Sequence, residues 1–203
     1  MGYEAIAAEK LCGHVHDLLH VKRVVKNALF LAEEEGADAE VVEAAAWLHD
    51  LGRPFESETG ECHAVESARI ARELLASHPK RDAIVHCIEC HRFSRGPEPD
   101  TLEGKILQDA DRLDALGAVG IARIFAFGGQ HGRPMYDEGD PFADSREVAR
   151  PSGKKIEPYS VDHFYNKQIK LPSLMHTESA RREAERRWAF MEKFLAELRG
   201  EIC

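Results

Sequence analysis

The chain has 203 residues, of which 43% are hydrophobic, and a formal charge of -9, with 36 acidic against 27 basic side chains. That length suits one domain with an ordinary core, and the acidic balance argues against a surface that grips a nucleic-acid polymer, which rewards a basic face. No segment reaches transmembrane length, the first residues lack the basic flank and apolar run of a signal peptide, and the 5 cysteines read as reduced thiols, so a cytoplasmic protein without membrane attachment is expected.

Helical periodicity runs through most of the chain, and helices are expected over 18–35, 39–51, 64–76, 80–92, 102–116, 118–127, 160–170 and 177–199, with no strand pattern between them. The architecture expected is all-α. It is a single-domain helical bundle over 1–203, with a core at about 18–127, a long loop at about 128–158 between the sixth and seventh helices, and C-terminal helices at about 160–199.

In the first helix, Val24, Ala28 and Leu31 follow His20 at helical spacing, so His20 lies beside an apolar face, and Gly36 stops the helix. Arg23 and Asn27, at i+3 and i+7 from His20, share its side and are candidate substrate contacts. The second helix is capped by Asp38 and carries only Glu43 as a charge between Val41 and Leu48, which marks it as central. It ends on His49-Asp50, ahead of Gly52 and Pro54, where unpaired carbonyls and the negative end of the helix dipole favour a cation. Standing alone, such a doublet would more simply be an Asp paired with a neighbouring Arg and a His bonded to backbone.

His63 stands just before the third helix, and His91 closes the fourth ahead of a turn-rich exit. Cys87-Ile88-Glu89-Cys90-His91 matches a haem-attachment pattern, and His86 with Cys90, or Cys87 with His91, has zinc-chelating spacing. The amphipathic setting of Ile84, Val85, Cys87 and Ile88 favours buried thiols over either use. On the fifth helix, Asp111 falls on the stripe of Leu107, Ala110 and Leu113, whereas Asp109 points away; Asp114 follows one turn after Asp111. A carboxylate on a buried face needs a partner, and Asp111 completes a His, His, Asp, Asp donor set.

Beyond the bundle core, Arg133, Arg146, Arg150, Lys154 and Lys155 in the 128–158 loop would suit either a lid over a polyphosphate or a plain surface loop. His163 and Lys167, four apart on the seventh helix, are candidate substrate contacts. In the last helix Trp188, Met191, Leu195 and Leu198 form an apolar side, and Arg181, Arg182, Arg186 and Arg187 alternate with Glu183 and Glu185 on an ion-paired, solvated one.

Taken in order, His20, His49-Asp50 and Asp111, with the words His20-Val21-Lys22-Arg23-Val24, Ala46-Trp47-Leu48-His49-Asp50-Leu51-Gly52 and Gln108 to Gly117, resemble the HD-domain superfamily of metal-dependent phosphohydrolases. The likeness is to its small stand-alone bacterial and archaeal members and extends over roughly Leu18 to Tyr165. It implies that His20, His49, Asp50 and Asp111 hold one divalent ion, with room for a second metal, and that His63 and His91 face the pocket. Mixed nitrogen and oxygen donors favour Mn, and the family also uses Mg, Fe or Co. The mechanism expected is hydrolysis of a phosphate ester or anhydride, with Asp50 a ligand in the catalytic set, Arg23 on phosphate oxygens, Asp114 orienting water, and His63 or His91 protonating the leaving group. The resemblance implies a small phosphorylated substrate, above all a nucleotide, including deoxynucleoside triphosphates cleaved to monophosphate and pyrophosphate. Two alternatives stand beside it: an HD-fold di-iron oxygenase that recruits His63, His91 or His86, and a non-catalytic nucleotide or signal sensor. The sequence leaves the oligomeric state open.

Overall fold

The computed structural model describes residues 2–11, 18–92, 96–137, 148–149 and 155–202. Its helices are α1 (Tyr3–Lys10), α2 (Leu18–Glu35), α3 (Ala39–Leu48), α4 (Arg53–Thr59), α5 (His63–Leu74), α6 (Arg81–Cys90), α7 (Leu102–Leu113), α8 (Gly117–Gln130), α9 (Asp162–Asn166) and α10 (Glu178–Ile202). Among the described residues the fold is all-helical apart from one antiparallel pair of two-residue strands, β1 (Val148–Ala149) and β2 (Lys155–Ile156), with Val148 opposite Ile156. That pair lies inside the expected 128–158 loop, where no strand was expected. Arg146, Arg150, Lys154 and the side chain of Lys155 lie outside the described residues.

Two helices were not anticipated. One is α1. The other is α4, which opens at Arg53 with Pro54 in its first turn and ends on Gly60 at φ 78°. Proline ends a helix that it follows but also starts one well, because its missing N–H costs nothing in the first turn. With α1 and α4 present, the long connection follows the eighth helix rather than the sixth. The expected 160–170 helix is shorter, α9 giving way to 3-10 turns at Gln168–Lys170 and Pro172–Leu174.

The chain forms two compact units, one made of the residues up to Leu113 with His176–Ala180, the other of Asp114–Met175 and the chain from Arg181 onward. In the first, α3 is central: Val41, Val42, Ala44, Ala45, Ala46 and Leu48 are all buried, and α1, α2, α5, α6 and α7 pack against it. Its alanines let those neighbours approach closely, and Asp38 caps it by accepting from the N–H groups of Glu40 and Val41. Asp109 does point away from the His20 side of α7, but into a second buried network. Its carboxylate accepts from the backbone N–H groups of His176 and Thr177 and from the Thr177 hydroxyl, which anchors the two residues that lead into α10.

In the second unit, Phe125, Phe164 and Phe194 meet with ring centroids about 6 Å apart, and Met191 and Leu195 supply the buried side of α10. Glu183 pairs with Arg186 and Arg187 on the solvated side, as the charge pattern implied. Among the described residues, no helix is long and apolar enough to cross a membrane.

Candidate metal centre

Three helices of the first unit bring the four motif residues together. His20 comes from the first turn of α2, His49 and Asp50 from the residues just past α3, and Asp111 from the last turns of α7. His20 Nε2 lies 3.6 Å from Asp50 Oδ2 and 3.4 Å from Asp111 Oδ1, and His49 Nε2 lies 3.5 Å from Asp50 Oδ2. His20, His49 and Asp111 each offer a donor atom within 4.8 Å of the others.

The state of His49 follows from its contacts. Its Nδ1 is 2.8 Å from the Ala46 carbonyl, which can only accept, so Nδ1 carries the proton and Nε2 a lone pair. The ring is fully buried, its Nε2 has no hydrogen-bond partner among the described residues, and burial pushes its pKa down to about 4. A neutral imidazole with an orphaned lone pair, beside a second imidazole and two carboxylates, is the donor chemistry of a first-row divalent cation. Burial alone would raise the Asp111 carboxyl, but the His20 imidazole 3.4 Å away holds it well below the usual carboxylate range.

Asp50 is completely buried and faces two ways. Its Oδ2 serves the cluster above, whereas Oδ1 lies 3.4 Å from His63 Nε2, 3.7 Å from His91 Nε2 and 2.9 Å from Arg53 Nε. Asp50, His63 and His91 form a second group able to hold an ion. Burial first, then the positive charge of Arg53, pushes His63 down to about 3.

The remaining expected residues have definite places. Arg23 is half-buried on α2. Asn27 is buried and donates from Nδ2 to the Ala110 carbonyl, 3.2 Å away, tying α2 to α7 beside the cluster. Asp114 is buried in the second unit and paired with Arg123. His163 and Lys167, at α9, also belong to the second unit; His163 Nδ1 meets Glu157 at 2.7 Å, and Glu157 also takes Arg133 at 3.0 Å. Cys87 sits in the core with its thiol pushed up to about 12 by burial, and His86 is bonded to Asp100 at 2.6 Å.

Sequence reasoning missed Arg53, Glu56, Arg92 and Ser67. Glu56 receives His63 and both arginines, and Ser67 Oγ accepts from the Gly52 N–H at 2.8 Å. The signal for the helix that carries the first two was present, because a Pro with an acid two positions later marks a helix start, but nothing local pointed to their contacts.

The family model described as HD domain matches residues 13–116. The chain is 35% identical over 195 residues to the uncharacterized protein YpgQ of Bacillus subtilis strain 168, covering 92% of this chain and 84% of that one. The crystal structure of Bacillus subtilis YpgQ in complex with ADP is similar with a TM-score of 0.74 and 34% identity, over 98% of this chain and 93% of that chain. A crystal structure of an HD-superfamily hydrolase from Bacillus thuringiensis gives a TM-score of 0.72 and 37% identity, over 98% of this chain and 94% of that chain.

Proposed function

The chain belongs to the HD domain family and is a metal-dependent phosphohydrolase, and we propose that it cleaves a nucleotide at a phosphoanhydride bond, with His20, His49, Asp50 and Asp111 as the metal ligands. The observation that carries this reading is the buried, partnerless lone pair of His49 Nε2 within reach of Asp50 Oδ2. When bound, the ion supplies Lewis acidity that acidifies water and neutralises phosphoryl charge, and the donor set favours Mn over Ca.

The protein's own groups do the rest. The Ala46 carbonyl fixes the His49 tautomer, and Arg23 takes phosphate oxygens from the α2 side. On the other side of Asp50, His63 Nε2 and His91 Nε2 are 3.1 Å apart, and as neutral rings they can take a proton from water and pass it to the departing oxygen. The same pair with Asp50 Oδ1 supports a second cation in place of that proton. A nucleotide is favoured because the YpgQ structure carries ADP.

The test is to strip the protein of metal, restore Mn2+, Mg2+, Co2+ or Fe2+ separately, and assay a panel of nucleoside and deoxynucleoside phosphates for phosphate and pyrophosphate. Metal-dependent pyrophosphate release, strongest with Mn2+, is expected, and metal content per chain separates one ion from two. A stoichiometrically bound ion without turnover on any nucleotide would sink the reading, and oxygen uptake with two irons would replace it with an oxygenase.

A further inference from the structure

Glu56 belongs to none of the motifs that mark the site, yet three side chains around Asp50 end on it. Its Oε2 lies 2.7 Å from His63 Nδ1 and 3.1 Å from Arg53 Nη1, and its Oε1 lies 2.6 Å from Arg92 Nη1. Arg53 also places Nε 2.9 Å from Asp50 Oδ1, so one guanidinium spans both carboxylates.

This contact set decides where His63 carries its proton. His63 Nδ1 has two polar neighbours, the Glu56 carboxylate at 2.7 Å and Arg92 Nη1 at 3.4 Å; the ionised carboxylate only accepts and is much the nearer, so the ring proton is on Nδ1 and the lone pair is on Nε2. His91 is set the same way, its Nδ1 donating to the Ile88 carbonyl at 2.7 Å. Two lone pairs thus face each other across 3.1 Å, and both look onto Asp50 Oδ1. Acceptors converging on one spot repel, and the free ring would relieve this by moving its proton to Nε2. The Ile88 carbonyl prevents that at His91; at His63 only a side chain does.

We propose that Glu56 is a positioning residue, which locks His63 in its Nδ1–H form and so keeps the Nε2 lone pair turned toward His91 and Asp50 Oδ1. The consequence for turnover rests on the phosphohydrolase reading above, whereas the tautomer does not.

Glu56→Met tests it. Gln would not, because its amide oxygen stays with the two donors, His63 and Arg53, that share Oε2. The thioether is about as long but offers no comparable acceptor, so Arg92 Nη1, 3.4 Å from His63 Nδ1, is left to donate to that nitrogen and the ring proton moves to Nε2. Long-range 1H–15N correlation spectra of the Mg2+-supplemented protein are expected to show His63 protonated on Nδ1 in the wild type and in Arg92→Met, and on Nε2 in Glu56→Met. The same Glu56→Met protein should lose about tenfold or more in kcat while KM and bound metal stay within about twofold. A wild-type His63 protonated on Nε2 overturns the proposal with no variant needed. So does a Glu56→Met protein in which either the His63 signature or kcat is unchanged, since a residue that merely neutralised Arg92 would leave the tautomer alone. If the wild type hydrolyses no phosphate compound, the phosphohydrolase reading fails and the spectra alone decide the positioning role.

Discussion

Gly52 and His63 meet backbone to backbone: a Cβ at residue 52 would stand 2.5 Å from the His63 carbonyl oxygen and 2.9 Å from the Ser67 nitrogen. The turn that carries Asp50 is therefore seated directly on the first turn of α5, the helix that carries His63. Gly52→Ala forces those backbones apart, with an expected loss of about 1–3 kcal/mol and a lower kcat. Thermal melts with and without Mn2+ measure it, and an unchanged Tm would mean that the two turns are not in contact in solution.

Asp50→Ala and Asp111→Ala should each abolish bound metal and turnover while circular dichroism stays that of the helical wild type. Retained metal-dependent activity in either contradicts the ligand assignment. Arg23→Ala should raise KM with little change in metal content, because it acts on substrate oxygens and not on the ion.

The metal-free protein should weaken in mild acid. Burial holds His49 at about 4 and His63 at about 3, both below the ordinary 6.5. Between roughly pH 6.5 and 4 the unfolded chain therefore binds protons that the folded site refuses, so stability rises with pH through that window and is lost as acid is added. Tm should be flat above about pH 7, fall steadily below 6.5, and fall less steeply in His49→Ala. A metal-free Tm that increased from pH 7 to 5 would rule out neutral burial of these rings.

Asp109→Ala should be costly for stability although Asp109 is no part of the cluster. It strands the N–H groups of His176 and Thr177 and the Thr177 hydroxyl, and leaves Arg112 without a buried carboxylate 3.5 Å away, for an expected loss of about 3 kcal/mol or more. Denaturant titration reads this directly, and Thr177→Ala should show a smaller loss of about 1 kcal/mol.

Cys62 and Cys87 should differ sharply in reactivity. Burial would raise the Cys62 thiol, but the Arg92 hydrogen bond and the N–H groups of Ala64 and Val65 hold it below its ordinary value, whereas Cys87 is pushed up to about 12. Brief iodoacetamide treatment of native protein followed by peptide mass spectrometry should label Cys62 well before Cys87. Equal labelling would show that Cys87 is not held in the core.

The helices and the His20, His49, Asp50 and Asp111 cluster were legible because both rest on local spacing: apolar residues at helical period, and ligand residues at the ends or on the faces those periods define. Pro54 was ambiguous by nature, since the same residue that stops α3 also opens α4. Glu56 was hidden for a different reason. Its meaning comes from Arg92, 36 residues away, and from His63 on another helix, neither of which a periodicity pattern links to it. Asn27 illustrates the reverse limit: helical spacing placed it beside His20, but its amide is taken by the Ala110 carbonyl 83 residues on.

Asp109 and Asp111 stand two positions apart on one helix, and only the second faces the histidines. Because the partners of the first come from His176 and Thr177, the buried surroundings of α7 are incomplete until that stretch has been synthesised. A nascent chain that has already placed every motif residue outside the ribosome still holds Asp109 as a solvated charge. The unit bearing the histidines thus reaches its final packing only after the much later 176–180 segment has docked, which makes its assembly a late event in translation.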